Sequence, residues 1–340
     1  MNNIEKKNQA LLYGVVTFSF VAFTFFLVII FWPQIGSKKI KKISIQPGIT
    51  LTQLAKTMKE EKLISNSYLF LSAVKIIGKS RSIPVGTFSL YNASNNYFVI
   101  RQLFYSPPLL RKTTFIEGWN LKKILEHMEK ELNITSKKID SLFKNTDFLS
   151  SYGLSNDKVE GYLFPDTYFF SENPSAKNVI ETLLKEGDRF WTPSKLLRAK
   201  TMGFTKHEII TLASIIEGEA VHDQERSVIS AVYHNRLKKN MKLQADPTIQ
   251  YIIDENPRRL LNKDLKIDSP YNTYMYHGLP PGPINSPGEK SLNAALYPDK
   301  NNYLFFVATG NGYHTFTKNE RQHNIAKRKL QNLRRALKNK

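Results

Sequence analysis

Residues 8–37 carry no charge, and Leu11–Trp32 within them is almost wholly apolar and aromatic. About 20 such residues in a row cross a bilayer as one helix. A cleaved signal peptide has a shorter apolar run and a small-x-small exit, whereas this run is followed by FWPQIGSKK. The stretch therefore reads as a retained membrane anchor. Lys6 and Lys7 precede the span and Lys38, Lys39, Lys41 and Lys42 follow it. A literal positive-inside count puts the large domain in the cytoplasm, yet long domains translocate largely regardless of flanking charge. Orientation stays open at this point.

The 340 residues allow two or three domains with an ample core. A formal charge of +20 fits three partners: nucleic acid, an anionic membrane surface or an acidic polymer. There is no cysteine, which excludes disulfides and thiolate chemistry. Seven histidines are scattered without H-E-x-x-H or a Cys/His cluster, so no metal site is expected. Phosphate-cradling glycine loops and a G-x-S-x-G nucleophile elbow are missing too, and no cofactor is expected.

After the span, KKISIQPGITLTQLAKTMKEEKLI reads as a strand, a Pro47-Gly48 turn and a helix capped by Thr50 with Gln53. The pattern returns as TTFIEGWNLKKILEHMEKEL. Gly48, Thr50, Leu51, Leu54 and Met58 match Gly118, Asn120, Leu121, Ile124 and Met128 at a constant offset of 70. VGTFSLYNASNNYFVIRQLF between them supplies a further strand and helix. This unit, placed at residues 38–145, resembles a LysM module, a small α/β fold that binds N-acetylated glycans; a generic α/β scaffold is the alternative. VEGYLFPDTYFF at 159–170 reads as a buried loop or edge strand, because Gly161 and Pro165 break a helix. It falls in a connector spanning residues 146–204.

Thr205–Tyr251 organises the rest. Thr205 and Glu208 form a capping box, and Ile209, Ile210, Leu212, Ala213, Ile215 and Ile216 make the following helix apolar on most sides. At about 100° per residue, Glu217 falls on the apolar side, while Glu219 falls near Glu208. A carboxyl at the apolar end of a buried helix loses solvation, which suits a general acid. The alternative is a helix-end Glu that faces water or pairs with Lys206 or Arg226. Asp223 is placed to cap a second helix, so that the two form a hairpin with Glu217 near their crossing. QADPTIQY then puts Gln244, Asp246, Thr248 and Tyr251 on a loop and its exit. SPYNTYMYHGLPPGPINSPG, 269–288, is a long loop stiffened by five prolines. Its Tyr271, Tyr274 and Tyr276 offer flat faces with hydroxyl tips, which suit sugar rings. Tyr303–Ala308 and His314–Phe316 read as a hairpin about Gly310-Asn311-Gly312. The tail after Lys318 has eight Lys/Arg against Glu320 alone and reads as a solvated basic helix.

LASIIEGEA, Glu225-Arg226, YHNRL, MKLQADPTIQY, YNTY, GLPPGPI, SPG and YLFFVATGNGYHTF, in that order and with EGYLFPDTY upstream, resemble the MltG-type (YceG-like) endolytic murein transglycosylases. One departure is Gly218, where the family usually has Lys; a glycine there loosens the helix end by up to about 1 kcal/mol. The resemblance implies an α+β chain: a short cytoplasmic N-terminus (1–10), a transmembrane helix (11–32), the LysM-like region, a mixed α/β catalytic domain (205–330) and a basic tail (331–340). It implies a single-pass protein of the cell (inner) membrane with its catalytic domain on the extracytoplasmic side. The implied substrate is the peptidoglycan glycan strand, cut internally between MurNAc and GlcNAc. Cell-wall synthesis enzymes are implied as candidate partners, and nucleic acid is not. Glu217 matches the family's catalytic acid. Gln244, Asp246, Thr248, Asn272, Thr273 and Tyr274 match positions that line its groove. Ordinary glycosidases need two carboxyl groups, whereas a lytic transglycosylase uses the sugar's own 6-hydroxyl and closes a 1,6-anhydro ring. The competing readings are a non-catalytic glycan-binding scaffold and a two-carboxylate hydrolase with Asp246 or Glu225 as partner.

Overall fold

Apolar side chains cover the outside of α1 (Asn3–Ile30), a 28-residue helix whose residues from Leu11 to Val28 are exposed. A surface of that kind is stable only in an apolar solvent. The helix is long and apolar enough to cross a membrane, and it ends two residues before the limit read from the sequence. The structure, a computed structural model, describes residues 3–33, 40–90, 95–154, 159–253 and 258–338. Lys38 and Lys39 of the basic flank, part of the strand-to-helix joint at 91–94, and residues 339–340 of the basic tail lie outside the described residues.

The chain divides into two compact units, residues 1–112 with 169–173, and residues 113–168 with 174–340. The first contains α1, β1 (Lys41–Ile45), α2 (Leu51–Glu60), α3 (Ser67–Ile76), β2 (Gly86–Leu90) and α4 (Asn96–Phe104), and the start of β3 (Leu110–Thr114). β1 and β2 are antiparallel, with Lys41 opposite Leu90 and Ile45 opposite Gly86. Ile43 and Ile45 alternate inward onto Leu54, Met58, Phe70 and Val74, the apolar faces of the two helices. The expected capping box of Thr50 and Gln53 opens α2.

The second unit holds α5 (Leu121–Leu132), α6 (Ser136–Phe143), α7 (Thr146–Ser150), the start of β4 (Thr167–Ser171), α8 (Ala176–Phe190), α9 (Pro193–Thr201), α10 (Lys206–Glu219), α11 (Arg226–Lys238), α12 (Asp246–Ile253), α13 (Glu289–Leu296), β5 (Phe305–Ala308), β6 (His314–Thr317) and α14 (Glu320–Lys338). β4 pairs with β3. The 70-residue offset is therefore a repeat of structure: strand, helices and a returning strand, first β1–α2–α3–β2 and then β3–α5–α6–α7–β4. The helices of the two copies fall in different units, while β3 and β4 straddle the division. β5 and β6 form the expected antiparallel hairpin.

At the centre of the second unit lies α10, opened by the Thr205–Glu208 capping box and buried at eight consecutive positions, Ile209–Ile216. α9, α11, α12 and α13 pack around it. Each Ile or Leu taken fully from water there contributes roughly 1.5–3 kcal/mol, which anchors the helix whose last turn carries Glu217.

Two local expectations are corrected. Asp223 does not cap α11: its carboxylate binds Arg226 Nε at 3.1 Å and Lys290 Nζ, and these two cations outcompete the backbone N–H groups for it. Asp246, Thr248 and Tyr251 lie on a helix rather than a loop and its exit. The proline that suggested a loop, Pro247, sits in the first turn, where it has no intrahelical N–H to lose.

Candidate active site

Glu217 stands in the last turn of α10 with a side chain only 6% exposed. Burial places its carboxyl among fixed partners. Arg226, the first residue of α11, donates from Nη1 to Oε1 at 3.0 Å, and the Gly288 N–H donates to Oε2 at 3.0 Å. The same Arg226 nitrogen reaches Ser291 Oγ at 2.5 Å. One guanidinium thus joins Glu217, Asp223 and Ser291, from α10, the following turn and α13. Of the two alternatives for Glu217, the structure therefore shows both burial and an ion pair with Arg226. Lys206 is elsewhere, bound to Asp188 at 2.6 Å.

A second carboxyl group meets Glu217 from outside the 205–251 stretch. Gly118 N–H donates to Ser286 O at 2.9 Å and Ser286 N–H to Trp119 O at 2.8 Å, which fastens the turn before α5 to the proline-rich loop. A Cβ on Gly118 would lie 3.7 Å from Glu217 Cγ. A Cβ on Gly288 would overlap the Glu117 carboxyl, so Glu117 lies against the same peptide that donates to Glu217. Burial first, and then the neighbouring Glu217, push the Glu117 carboxyl above its ordinary range, while Arg226 and Lys290 oppose that. Sequence reasoning missed Glu117 and looked to Asp246 or Glu225 instead. The signal was present in the repeat: Glu117 stands where the first copy has Pro47, an acid that a scaffold turn does not need.

Glu225 is committed to His314, whose N–H donates at 2.9 Å and whose Nδ1 lies 2.8 Å away. Asp246 accepts from the Tyr274 hydroxyl at 2.5 Å. Glu219 is pinned by the Tyr233 hydroxyl at 2.9 Å and by the Asp246 backbone, and burial pushes its carboxyl up to about 7. It ties α10 to α11 and α12.

Beside Glu217 opens a cleft of about 460 Å³, a size typical of small-molecule sites. Its wall includes Gly118, Lys122 and Lys123 from the α5 side, Gly218 and Glu219 from α10, and Asp246. Glu217 is not in that lining; its neighbours Gly118 and Gly218 are, and neither carries a side chain to cover it. A Cβ on Gly218 would come within 2.7 Å of Pro247 Cβ. The glycine thus lets the start of α12 close on the end of α10.

Of the other residues expected in the groove, Gln244 is exposed in a left-handed conformation (φ +51°), with its N–H on Thr273 O at 3.0 Å. Thr248, Asn272 and Thr273 are buried. The Thr248 and Thr273 hydroxyls are 2.9 Å apart, and Asn272 Nδ2 donates to Leu265 O and Ile267 O. These three shape the loop and give it no free polar surface. Tyr271 packs on Tyr251 with ring centroids 5.0 Å apart, and the Tyr276 hydroxyl donates to Asp268 at 2.6 Å.

The YceG-like family is matched over residues 43–329. The chain belongs to the YceG-like family. A Bacillus subtilis protein named endolytic murein transglycosylase is 34% identical over 86% of this chain and 85% of its own length. A Streptococcus pneumoniae D39 protein of the same name is 24% identical, and the match spans 59% of that protein. The crystal structure of a YceG-like protein from Listeria monocytogenes superposes with a TM-score of 0.58 at 31% identity, covering 85% of this chain and 99% of that one. That structural likeness fits the mixed helix and strand content described above.

Proposed function

We propose that this chain is a membrane-anchored lytic transglycosylase that cuts peptidoglycan strands internally and leaves 1,6-anhydro ends. The observation that carries the reading is a buried, fully positioned Glu217 beside an open polar cleft in a chain of this family. Glu217 protonates the glycosidic oxygen as the bond to the MurNAc anomeric carbon breaks. Its carboxylate then takes the proton of the same sugar's 6-hydroxyl, whose oxygen closes on that carbon. No water is consumed, and one carboxyl group serves both steps. Asp246, in the cleft wall, and the exposed Gln244 contact sugar in this reading, Tyr274 orients Asp246, and Thr248, Asn272 and Thr273 hold the loop in shape. α1 spans the cell membrane with the larger unit outside. The β1–α2–α3–β2 arrangement supports a LysM-like reading of the first unit. The experiment is mass spectrometry of long purified strands incubated with the full chain. Internal fragments with anhydro ends support the function; uncut strands that still bind favour a scaffold instead.

Glu117 acts on this chemistry as a positioning residue, lying against the Gly288 peptide that donates to Glu217. Burial and the neighbouring Glu217 raise the Glu117 carboxyl above its ordinary range. Glu117→Gln, neutral at every pH, is expected to remove from the kcat/KM profile an ionisation lying above the ordinary carboxylate range, and Glu117→Asp to restore it. A profile unchanged in Glu117→Gln would assign Glu117 to structure alone.

A further inference from the structure

The end of α1 is built into the first unit rather than tethered to it. Ile29 and Ile30 are buried in one core cluster with Ile43, Phe70, Val99 and Ile100. The last carbonyls of a helix have no intrahelical partner. Here Asn96, itself fully buried, donates from Nδ2 to Ile29 O at 2.8 Å and from its backbone N–H to Trp32 O at 3.3 Å. Ser65 Oγ donates to Pro33 O at 3.2 Å, and Pro33 forms a β-bridge with Asn95. A hinge at this joint would have to break the bridge and expose two isoleucines, at roughly 1.5–3 kcal/mol for each side chain.

Length then fixes where the joint sits. The apolar stretch begins at Leu11 and its last exposed helical position is Val28, with Ile29 and Ile30 already inside the unit. At 1.5 Å per residue, a span of about 20 residues is needed for a hydrocarbon layer of about 30 Å. Nothing is left over to lift the unit away from the lipid. At the foot of the helix Phe31, Tyr97 and Phe98 form a row of rings, with centroids 5.9 and 5.7 Å apart, each two-fifths to one-half exposed. Aromatic rings of this kind gather at the membrane–water interface.

We infer that the face of the first unit carrying Phe31, Tyr97 and Phe98 lies in the headgroup layer of the bilayer that α1 spans. The occupant of this aromatic face is lipid. The unit is a collar seated on the membrane, with its strands and remaining helices at a fixed height, and not a module swinging on a flexible leash. The inference rests on the membrane-spanning reading of α1.

The chain has no cysteine, so single spin labels can be placed without background. The test uses the full chain in lipid nanodiscs, with Tyr97→Cys and Phe98→Cys each labelled separately. Phe18→Cys marks the span, and Glu60→Cys, beside Lys56 on α2, marks water. Collision with oxygen, which partitions into lipid, is compared with collision with a water-soluble nickel chelate. Labels at 97 and 98 are expected at depths between the two references, with nickel collision several-fold below that at position 60. Nickel collision at both positions equal to that at position 60, with position 18 immersed, would overturn the collar alone. Position 18 accessible to nickel would overturn the spanning reading and the collar together.

Discussion

Glu217→Gln is expected to lower the rate of strand cleavage by roughly 10²–10⁴-fold, the usual contribution of one positioned general acid–base group. Glutamine fills the same space and leaves an oxygen for either the Gly288 N–H or Arg226, so the fold should survive. Parallel circular dichroism and a product assay would separate the effects. The loss should be equally large with long and short strands, because the residue acts on the bond and not on grip along the cleft. A variant that retains more than a tenth of wild-type activity would place the acid elsewhere.

Arg226→Ala is expected to have the largest effect on stability. The Arg226 side chain is 8% exposed and that of Glu217 6%, and removing one partner of a buried pair costs about 3–5 kcal/mol because the other is left uncompensated. The Gly288 N–H remains as a partner for Glu217, which puts the expected loss at the lower end, near 3 kcal/mol. At roughly 2–4 °C per kcal/mol for a domain of 150–250 residues, the melting point should fall by about 6–12 °C. Arg226→Lys keeps a charge but not the planar fork that reaches Asp223, Glu217 and Ser291 together, so it should recover only part of the loss. Thermal unfolding followed by circular dichroism checks both. A shift below 2 °C for Arg226→Ala would show that this web does not hold the corner.

The chain was most readable where its signals were local. Two capping boxes, the apolar periodicity of α10 and the Gly310–Gly312 hairpin depend on residues a few positions apart, and each formed as expected. Asp223 went astray because its choice between a backbone N–H and Lys290 depends on a residue 67 positions away. Asp246 went astray because a proline marks either a turn or the first turn of a helix, and packing decides which. Glu117 was hidden by distance: a hundred positions separate it from Glu217, and the pairing of Gly118 and Trp119 with Ser286 brings them to one peptide. Thr248, Asn272 and Thr273, which the resemblance puts along the groove, come together in the fold with their side chains interlocked with the loop. A motif does not tell which of its polar groups face inward.

The origin of the oxygen at the cut ends separates a transglycosylase from a hydrolase most directly. Full-length protein is incubated with purified glycan strands in water enriched in ¹⁸O, and the new ends are weighed. A lytic transglycosylase leaves 1,6-anhydro ends with no label taken up, because the 6-hydroxyl attacks in place of water. Reducing ends carrying one ¹⁸O each would contradict that reading, and would instead make Glu117 and Glu217 the two carboxyl groups of a hydrolase.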